Sequence, residues 1–202
     1  MTEAFGPEQV KALAPSGHYI ALRIGFAFPM QEVNGLPLDW VEHYTAQRFM
    51  LDDPVIRWMY TNTGATRWSQ IELADPRQIF RQAKSFGLRY GIVVCCFDGN
   101  VEGLRSFGSF ARGDREFEVD EIAQLSAYVA RLHHEMAPPS TLTQAELEAL
   151  RMVKSGLRLK QIAHHLGVTE GAVKQRLKNA KLKLGAKTGT QAATMASKFG
   201  LI

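Results

Sequence analysis

A chain of 202 residues is long enough for two small domains with separate cores, and its mean hydropathy of −0.15 is ordinary for a globular protein. No apolar run is long enough to cross a bilayer, and residues 1–7 lack the pattern of a secretory signal, so we expect a cytoplasmic protein without membrane contact. The net charge of +4 is unevenly divided: residues 141–202 contain 11 Lys and Arg against 3 Asp and Glu, whereas residues 1–140 contain 13 against 17. This asymmetry predicts a polyanionic partner for the C-terminal segment only.

The first half of the chain alternates strand and helix signals. Residues 18–28 predict a half-buried strand with Ala21 and Arg23 on one face and, on the core face, Ile20, Leu22, Ile24, Phe26 and Phe28. Residues 38–50 predict a helix. Asp53-Pro54 predicts the N-cap and first residue of a short helix through Tyr60, and Asp75-Pro76 repeats this signal for a helix that ends near Gly87.

Two further strands and a long helix complete this half. Residues 89–97 predict a strand, Asp98-Gly99-Asn100 predicts a hairpin turn, and residues 101–111 predict the returning strand. Residues 118–136 predict a helix and a candidate dimer surface, with an apolar stripe formed by Ile122, Leu125, Val129, Leu132 and Met136. We therefore expect an α+β chain whose N-terminal domain is an α/β/α sandwich with an antiparallel, GAF/PAS-like sheet around a small-molecule pocket.

The adjacent Cys95 and Cys96 lie in the apolar strand. Neighbouring residues on a strand point to opposite faces, so the pair suits neither a disulfide nor a metal site, and we expect buried strand residues and no metal or cofactor. A lactone hydrolase that uses either cysteine is disfavoured, because neither lies at a strand-to-helix turn and no histidine has a suggestive spacing. We therefore do not expect an enzyme.

Residues 142–202 predict a separate all-α domain of four helices after a linker at 137–141 that contains Pro138-Pro139. Thr143 and Glu146 form a capping box for a helix that ends at Gly156. A second helix follows, with Leu159, Ile162, Ala163 and Leu166 on its apolar face, and it ends at Gly167. Thr169 and Thr190 are predicted to cap the third and fourth helices.

The third helix of this domain carries a cationic outer face. Its predicted DNA-binding residues are Lys174, Gln175, Arg176, Lys178 and Lys181. Such a face neutralises phosphates, and the residues nearest the helix N-terminus reach base edges in the major groove. The alternative is a solvated charged face on a helical bundle, but caps, turn glycine, apolar spacing and charge all agree with DNA binding.

Residues 142–192 resemble the C-terminal helix-turn-helix of LuxR-type transcription regulators. The resemblance rests on Glu146, Leu150 and Gly156 and on the segments Ile162-Ala163, Leu166-Gly167, Val173-Lys174, Leu177, Asn179-Ala180, Lys183-Leu184-Gly185 and Thr190-Gln191-Ala192. It implies that Lys174 and Lys178 contact bases. Gly189 departs from the arginine usual in the family just before the last helix.

The N-terminal half resembles the quorum-sensing members of this family, which bind N-acyl homoserine lactones. Trp40, Tyr44, Asp53-Pro54, Trp68 and Gly91 follow the order and spacing of their signature, so the resemblance covers residues 36–192. A phosphorylated receiver is disfavoured because the strand pattern is antiparallel.

A buried lactone needs a partner for each of its polar groups, since an unpaired one costs about 1–3 kcal/mol. The Trp40 indole can donate to the lactone carbonyl and the Asp53 carboxylate can accept from the amide N–H, while Tyr44 and Ser109, the latter resembling the family's hydroxyl position, can meet the remaining oxygens. Trp68 completes the ligand-binding set. Candidates to line the tail cavity are Phe49, Val55, Trp68, Ile92, Val94 and Phe107.

Three departures from the family pattern bear on the ligand. Leu36 replaces a tyrosine, Arg105 is expected near the pocket rim, and the short N-terminus predicts a reduced lid and dimer face. We predict a homodimeric transcription regulator in which residues 1–136 bind the autoinducer and dimerise and residues 142–202 bind a palindromic promoter site in double-stranded DNA, with RNA polymerase as a further partner. The alternatives are a regulator that acts without a lactone and an antagonist that forms heterodimers with another regulator.

Overall fold

The computed structural model describes residues 5–24, 28–99, 104–137 and 141–202, and the chain divides into two units, Met1–Met136 and Ala137–Ile202. Each unit has its own apolar core. The predictions for residues 25–27 of the first strand, for the turn and strand at 100–103, and for the Pro138-Pro139 part of the linker lie outside the described residues. Within the described ranges no helix is long and apolar enough to span a membrane.

The first unit is built on a five-stranded sheet in which all neighbouring strands are antiparallel. Its strands are β1 (Gly17–Ile24), β2 (Gln31–Asn34), β3 (Gly64–Arg67), β4 (Tyr90–Phe97) and β5 (Arg105–Arg112). Their spatial order is β2-β1-β5-β4-β3, so β2 and β3 are the edges. The sequence did not predict either edge strand.

Helices cover both faces of this sheet. They are α1 (Pro7–Leu13), α2 (Leu38–Ala46), α3 (Pro54–Thr61), α4 (Ile79–Ser85) and α5 (Val119–Glu135). The core that contains α1 and α5 packs on one face, and the cores that contain α2, α3 and α4 pack on the other. This confirms the predicted α/β/α sandwich. Cys95 and Cys96 lie on opposite faces, as expected, with Cys95 buried on the α3 side.

The apolar stripe of α5 is buried in the core of its own unit. Leu125 and Val129 are fully buried, and Ile122, Leu132 and Met136 pack against the same cluster. The stripe therefore does not offer apolar area to a second subunit, and the predicted dimer surface on this helix stays a prediction for its outward face.

Two predictions for β1 are wrong, those that placed Ile24 and Phe28 on its core face. Phe28 lies beyond the end of the strand and is 81% exposed. The strand has an irregularity between Ala21 and Ile24, where Arg23 has a positive φ of 55°. An extra residue in a strand reverses the side-chain alternation that follows it. Ile24 therefore packs with Ala21 instead of with Ile20 and Leu22, and the strand ends at Ile24.

Because of this irregularity, the Arg23 side chain points into the protein and joins a buried polar network. Arg23 is 1% exposed, its Nε donates to the His133 carbonyl over 3.0 Å, and its guanidinium also pairs with Asp98. The Arg23 N–H donates to Ser106 Oγ, which lies 2.8 Å from His133 Nδ1, and His133 Nε2 lies 2.9 Å from Asp98 Oδ1. Every member thus has hydrogen-bond partners, which a buried charge requires.

The predicted start of α4 is also corrected. The helix begins at Ile79, three residues after the expected first residue, Pro76. The Asp75 carboxylate nonetheless accepts hydrogen bonds from the N–H groups of Ile79 and Phe80. It therefore still satisfies first-turn donors, although from a loop instead of from the N-cap position.

The second unit contains α6 (Gln144–Lys154), α7 (Leu159–Leu166), α8 (Glu170–Leu184) and α9 (Gly189–Lys198). The Thr143–Glu146 capping box is present, Gly167 ends α7 with a φ of 62°, and Thr169 caps α8. The prediction for the last helix is wrong, because Thr188 is its N-cap and accepts from the Gln191 N–H. Thr190 and Gly189 therefore lie inside the first turn of α9.

Candidate functional site

A cavity of about 350 Å³ lies between the sheet and the helices α2, α3 and α4. All five predicted ligand-binding residues line it, namely Trp40, Tyr44, Asp53, Trp68 and Ser109. They come from α2, from the start of α3, from the turn after β3, and from β5. The fold therefore brings together residues that are up to 69 positions apart in the sequence.

Asp53 supplies a buried carboxyl group to this cavity. It is 8% exposed, and its two oxygens accept hydrogen bonds of 2.8 Å from the Tyr44 hydroxyl and from the Val55 N–H. Burial raises the pKa of the carboxyl, and the hydrogen bonds from Tyr44 and Val55 oppose this shift. The same residue thus caps α3, as predicted, and presents a carboxylate to the cavity.

Trp40 is held beside this carboxylate by aromatic packing. It is 5% exposed, and its ring lies 5.6 Å from Tyr44 and 5.4 Å from Phe86, measured between centroids. Aromatic pairs at these distances are favourable and stabilise the position of the Trp40 ring. Since Trp40 and Tyr44 are four residues apart on α2, both side chains are on the helix face that borders the cavity.

Trp68 lies against the sheet at Gly91. A Cβ atom at Gly91 would be 2.6 Å from Trp68 Cε3 and closer still to two other indole carbons, so only glycine allows the ring this position. Among the described residues, the buried Trp68 Nε1 has no hydrogen-bond partner. A buried donor without a partner is costly, and a ligand acceptor is one way to satisfy it.

The sheet contributes alternate residues to the cavity. Ser109 pairs with Tyr19 on one side and with Val93 on the other, and Phe107 pairs with Ala21. Of the predicted tail-lining residues, Val55, Trp68 and Phe107 line the cavity. Three others do not.

The predictions for Ile92, Val94 and Phe49 as cavity-lining residues are wrong. Ile92 and Val94 are on the opposite sheet face, in the α5 core, because they are offset by one position from Val93 and Cys95, which pack on the α3 side of the sheet. Phe49 is buried behind Trp40 and Tyr44, at 5.7 Å from the Tyr44 ring.

Two of the three departures that bear on the ligand, Leu36 and Arg105, have different outcomes. Leu36 lines the cavity and offers it only apolar atoms. Arg105 does not line the cavity: its Nη1 donates to the carbonyls of Met59 and Asn62 over 2.9 Å and caps the C-terminal end of α3.

The sequence analysis missed several polar residues that line the cavity, among them Tyr19 and Glu32. The Tyr19 hydroxyl donates to Glu32 Oε2 over 2.8 Å. Glu32 was missed because β2 is a short, exposed edge strand without an apolar pattern. Tyr19 was visible in the alternation of β1, on the same face as Ala21.

The outer face of α8 in the second unit is cationic. Lys174, Gln175 and Lys178 are exposed, and Arg176 and Lys181 are half-buried. Val173, Leu177, Ala180 and Leu184 face the core of the unit. Gln175 Nε2 donates to Asn179 Oδ1 over 2.9 Å, which orients this side chain along the helix. All five predicted residues are thus on one helix, opposite or beside its buried stripe.

A ligand-sized cavity in an α/β/α unit, followed by a basic helix-turn-helix unit, defines the class of ligand-responsive transcription regulators. The family model of the autoinducer binding domain matches residues 29–136, and that of bacterial regulatory proteins of the luxR family matches residues 140–196. The chain therefore belongs to the luxR family of bacterial regulatory proteins, a family of transcription regulators and not of enzymes.

Similarity to individual proteins supports this assignment. The transcriptional activator protein VanR of Vibrio anguillarum is 31% identical over 184 residues, which cover 82% of this chain and 75% of VanR. The quorum-sensing regulator RhlR of Pseudomonas aeruginosa is 30% identical over 193 residues, which cover 89% of this chain and 79% of RhlR. The family thus accounts for a small-molecule autoinducer and DNA as the two kinds of partner.

Two solved structures share the fold. Escherichia coli SdiA matches with a TM-score of 0.51 at 23% identity, covering 96% of this chain and 88% of that chain. A complex of SdiA with octanoyl-rac-glycerol matches with a TM-score of 0.52 at 24% identity, covering 96% and 87%. At these identities the likeness is one of fold.

Proposed function

We propose that the chain is a cytoplasmic quorum-sensing regulator that binds an N-acyl homoserine lactone in the cavity and binds palindromic promoter DNA as a homodimer. In this proposal residues 1–136 bind the ligand and dimerise, residues 137–141 link the domains, and residues 142–202 bind DNA and act on RNA polymerase. The observation that carries it is the buried Asp53–Tyr44 pair beside Trp40, in a cavity otherwise lined mainly by apolar side chains.

The polar groups of the cavity match those of an acyl lactone. The amide N–H donates to Asp53, whose carboxylate keeps unused lone pairs after it accepts from Tyr44 and Val55. The indole N–H groups of Trp40 and Trp68 are donors for the lactone and amide carbonyls, and the Ser109 hydroxyl serves either role. The acyl tail packs against Val55, Phe107 and their neighbours.

Ligand binding is expected to stabilise the first unit by mass action. A ligand at a hundred times its Kd adds about 2.7 kcal/mol to the free energy of unfolding. The stabilised unit dimerises, and two copies of α8 then engage half-sites about one helical turn apart.

The ligand is tested by thermal unfolding and calorimetry of the purified chain with N-octanoyl homoserine lactone. Asp53→Asn keeps an oxygen for the Val55 N–H but replaces a carboxylate with an amide, and we expect affinity to fall about 10- to 100-fold. Asp75→Asn is the matched control, because Asp75 also accepts from helix N–H groups but does not line the cavity. Equal losses in both variants, or no lactone-dependent stabilisation, would refute the ligand assignment.

DNA binding is tested by selection from a randomised duplex library, followed by mobility shifts at several salt concentrations. Lys174→Ala and Lys178→Ala should each weaken binding and lower the salt slope by about one if the residue contacts a phosphate, or relax specificity if it contacts a base. Lys198→Ala, an exposed lysine on α9, is the control. Recovery of no enriched sequence, or equal effects of all three variants, would contradict the assignment.

A second candidate is a regulator that acts without a lactone. It is favoured by Leu36, which lines the cavity with apolar atoms and supplies no hydroxyl donor for the carbonyls of the proposed ligand. It predicts soluble protein that binds DNA equally well with and without added lactone, so the two assays above, run in both conditions, distinguish the candidates. An antagonist would instead form heterodimers and bind DNA weakly by itself.

A further inference from the structure

The cavity contains a second tyrosine–carboxylate pair besides Tyr44 and Asp53. Tyr19 and Glu32 both line it and are joined by a hydrogen bond of 2.8 Å. Tyr19 is fixed on β1, where its ring lies 5.7 Å from that of Phe107, and Glu32 is on β2 opposite Ala21. Two acceptor groups from distant parts of the sequence therefore border one cavity.

Both tyrosine hydroxyls donate their hydrogen to a carboxyl group, Tyr44 to Asp53 and Tyr19 to Glu32. Burial, Asp53 and, less strongly, the neighbouring Tyr19 raise the pKa of the Tyr44 phenol, and burial and Glu32 raise the pKa of the Tyr19 phenol. Both phenols thus remain protonated and donate to their carboxylates at neutral pH. A carboxylate has about four lone-pair sites, so each acid can still accept from a ligand.

The charge of the lining restricts the ligand further. Among the described residues that line the cavity there are two carboxylates, Asp53 and Glu32, and no Lys, Arg or His. A ligand carboxylate would lose its hydration in the cavity without a cation to pair with, which is strongly unfavourable. The cavity therefore disfavours anions and favours uncharged groups that donate hydrogen bonds.

The acceptors outnumber the donors of an unsubstituted acyl lactone. Such a lactone has a single donor, its amide N–H, which Asp53 accepts in the proposed function. Glu32 would then border the bound ligand without receiving a hydrogen bond from it. A ligand with one hydroxyl more could donate to both carboxyl groups, and hydrogen bonds to charged groups are the stronger ones.

We propose that the ligand is an uncharged amphiphile that carries a hydroxyl group in addition to the donor that Asp53 accepts, and that Glu32, oriented by Tyr19, accepts from this hydroxyl and determines specificity. The inference rests on the proposed function, because it specifies which ligands of that cavity are preferred. A 3-hydroxyacyl homoserine lactone and a monoacylglycerol both have the required chemistry.

The test is calorimetric titration of the full chain with four eight-carbon probes. They are N-octanoyl homoserine lactone, its 3-hydroxy derivative, 1-octanoylglycerol and octanoate. We expect the hydroxylated lactone to bind about tenfold more tightly than the unsubstituted one, which corresponds to about 1.4 kcal/mol, and octanoate not to bind. The readout is the ratio of the affinities for the two lactones, because a substitution that perturbs the cavity as a whole changes both affinities equally and leaves their ratio unchanged.

Two variants test whether Glu32 causes the difference in affinity between the two lactones. Glu32→Ala removes the acceptor from an exposed edge strand, where the fold tolerates substitution, and should reduce the ratio to less than about two. Gln31→Ala changes the neighbouring residue of the same strand, which does not line the cavity, and should keep the ratio.

The outcomes separate this inference from the proposed function. If both lactones bind equally to the wild-type chain, or if the ratio survives in Glu32→Ala, the inference is wrong and the lactone function stands. If only 1-octanoylglycerol binds and Glu32→Ala weakens it about tenfold or more, the inference holds and the lactone is the wrong source of the hydroxyl. Tight binding of octanoate overturns the charge argument, and binding of no probe overturns both.

Discussion

Gly91 supports the Trp68 ring, and its replacement by alanine tests how the sheet shapes the cavity. The added Cβ would be 2.6 Å from Trp68 Cε3 and closer to two other indole carbons, a separation at which the ring must move. Overpacking of this kind costs about 1–3 kcal/mol. For a unit of this size 1 kcal/mol corresponds to about 4 °C, so we expect the melting temperature to fall by about 4–12 °C.

The displaced ring should also enter the cavity that it lines. We therefore expect Gly91→Ala to lose lactone binding in calorimetry and to change the tryptophan fluorescence of the folded protein. Gly108→Ala is the matched control: its Cβ would lie 2.6 Å from Phe110 Cε2 and 2.9 Å from Val129 Cγ2, on the α5 face of the same sheet.

The control should lower stability by a similar amount and retain ligand affinity in the folded protein. Two results would refute the reasoning. One is an unchanged melting temperature for Gly91→Ala, and the other is an equal loss of affinity in both variants.

Two further predictions concern the buried histidine and the last helix. Burial and then Arg23 lower the pKa of His133, so below about pH 6.5 the unfolded chain binds more protons than the folded one, and stability present above that pH is lost on acidification. The urea midpoint should therefore fall as the pH is lowered from 7.5 to 5.5. His133→Gln should reduce this pH dependence, and the remainder includes a contribution from His18, whose pKa is also lowered by burial. His134→Gln, at an exposed position, should leave the pH dependence unchanged. Thr188→Ala should cost about 1 kcal/mol through the lost N-cap of α9, and Thr190→Ala much less; the reverse order in thermal unfolding would contradict the assigned cap.

Much of the site could be predicted because its signals are local. Asp53-Pro54 is both a capping signal and the position of the buried carboxylate, and Trp40 and Tyr44 have the spacing of one helix face. In the second unit the capping box, the turn glycine and the apolar spacing predict the helix-turn-helix, and the structure has each of them. The cap of α9 was misplaced by two residues because Thr188 and Thr190 are both good cap residues.

The errors at Ile92 and Val94 have a different origin, the choice of sheet face. Ile92 and Val94 belong to a fully apolar strand in which every residue suits a core, so the pattern does not indicate which face borders the cavity. Glu32 became part of the cavity only because β2 pairs with β1 at the edge. These assignments depend on strand pairing, which residues near in sequence do not specify.

The sequence by itself determined the two-unit organisation, the N-caps of α3, α6 and α8 and several residues of the cavity, because hydrogen-bonding termini and apolar periodicity are properties of neighbouring residues. The tertiary structure decided which residues meet. The irregularity at Arg23 reverses the alternation of β1 and joins Arg23 to Asp98 and His133, 75 and 110 positions away. The reason is physical: a buried guanidinium needs partners, and only the assembled sheet and helix α5 supply them.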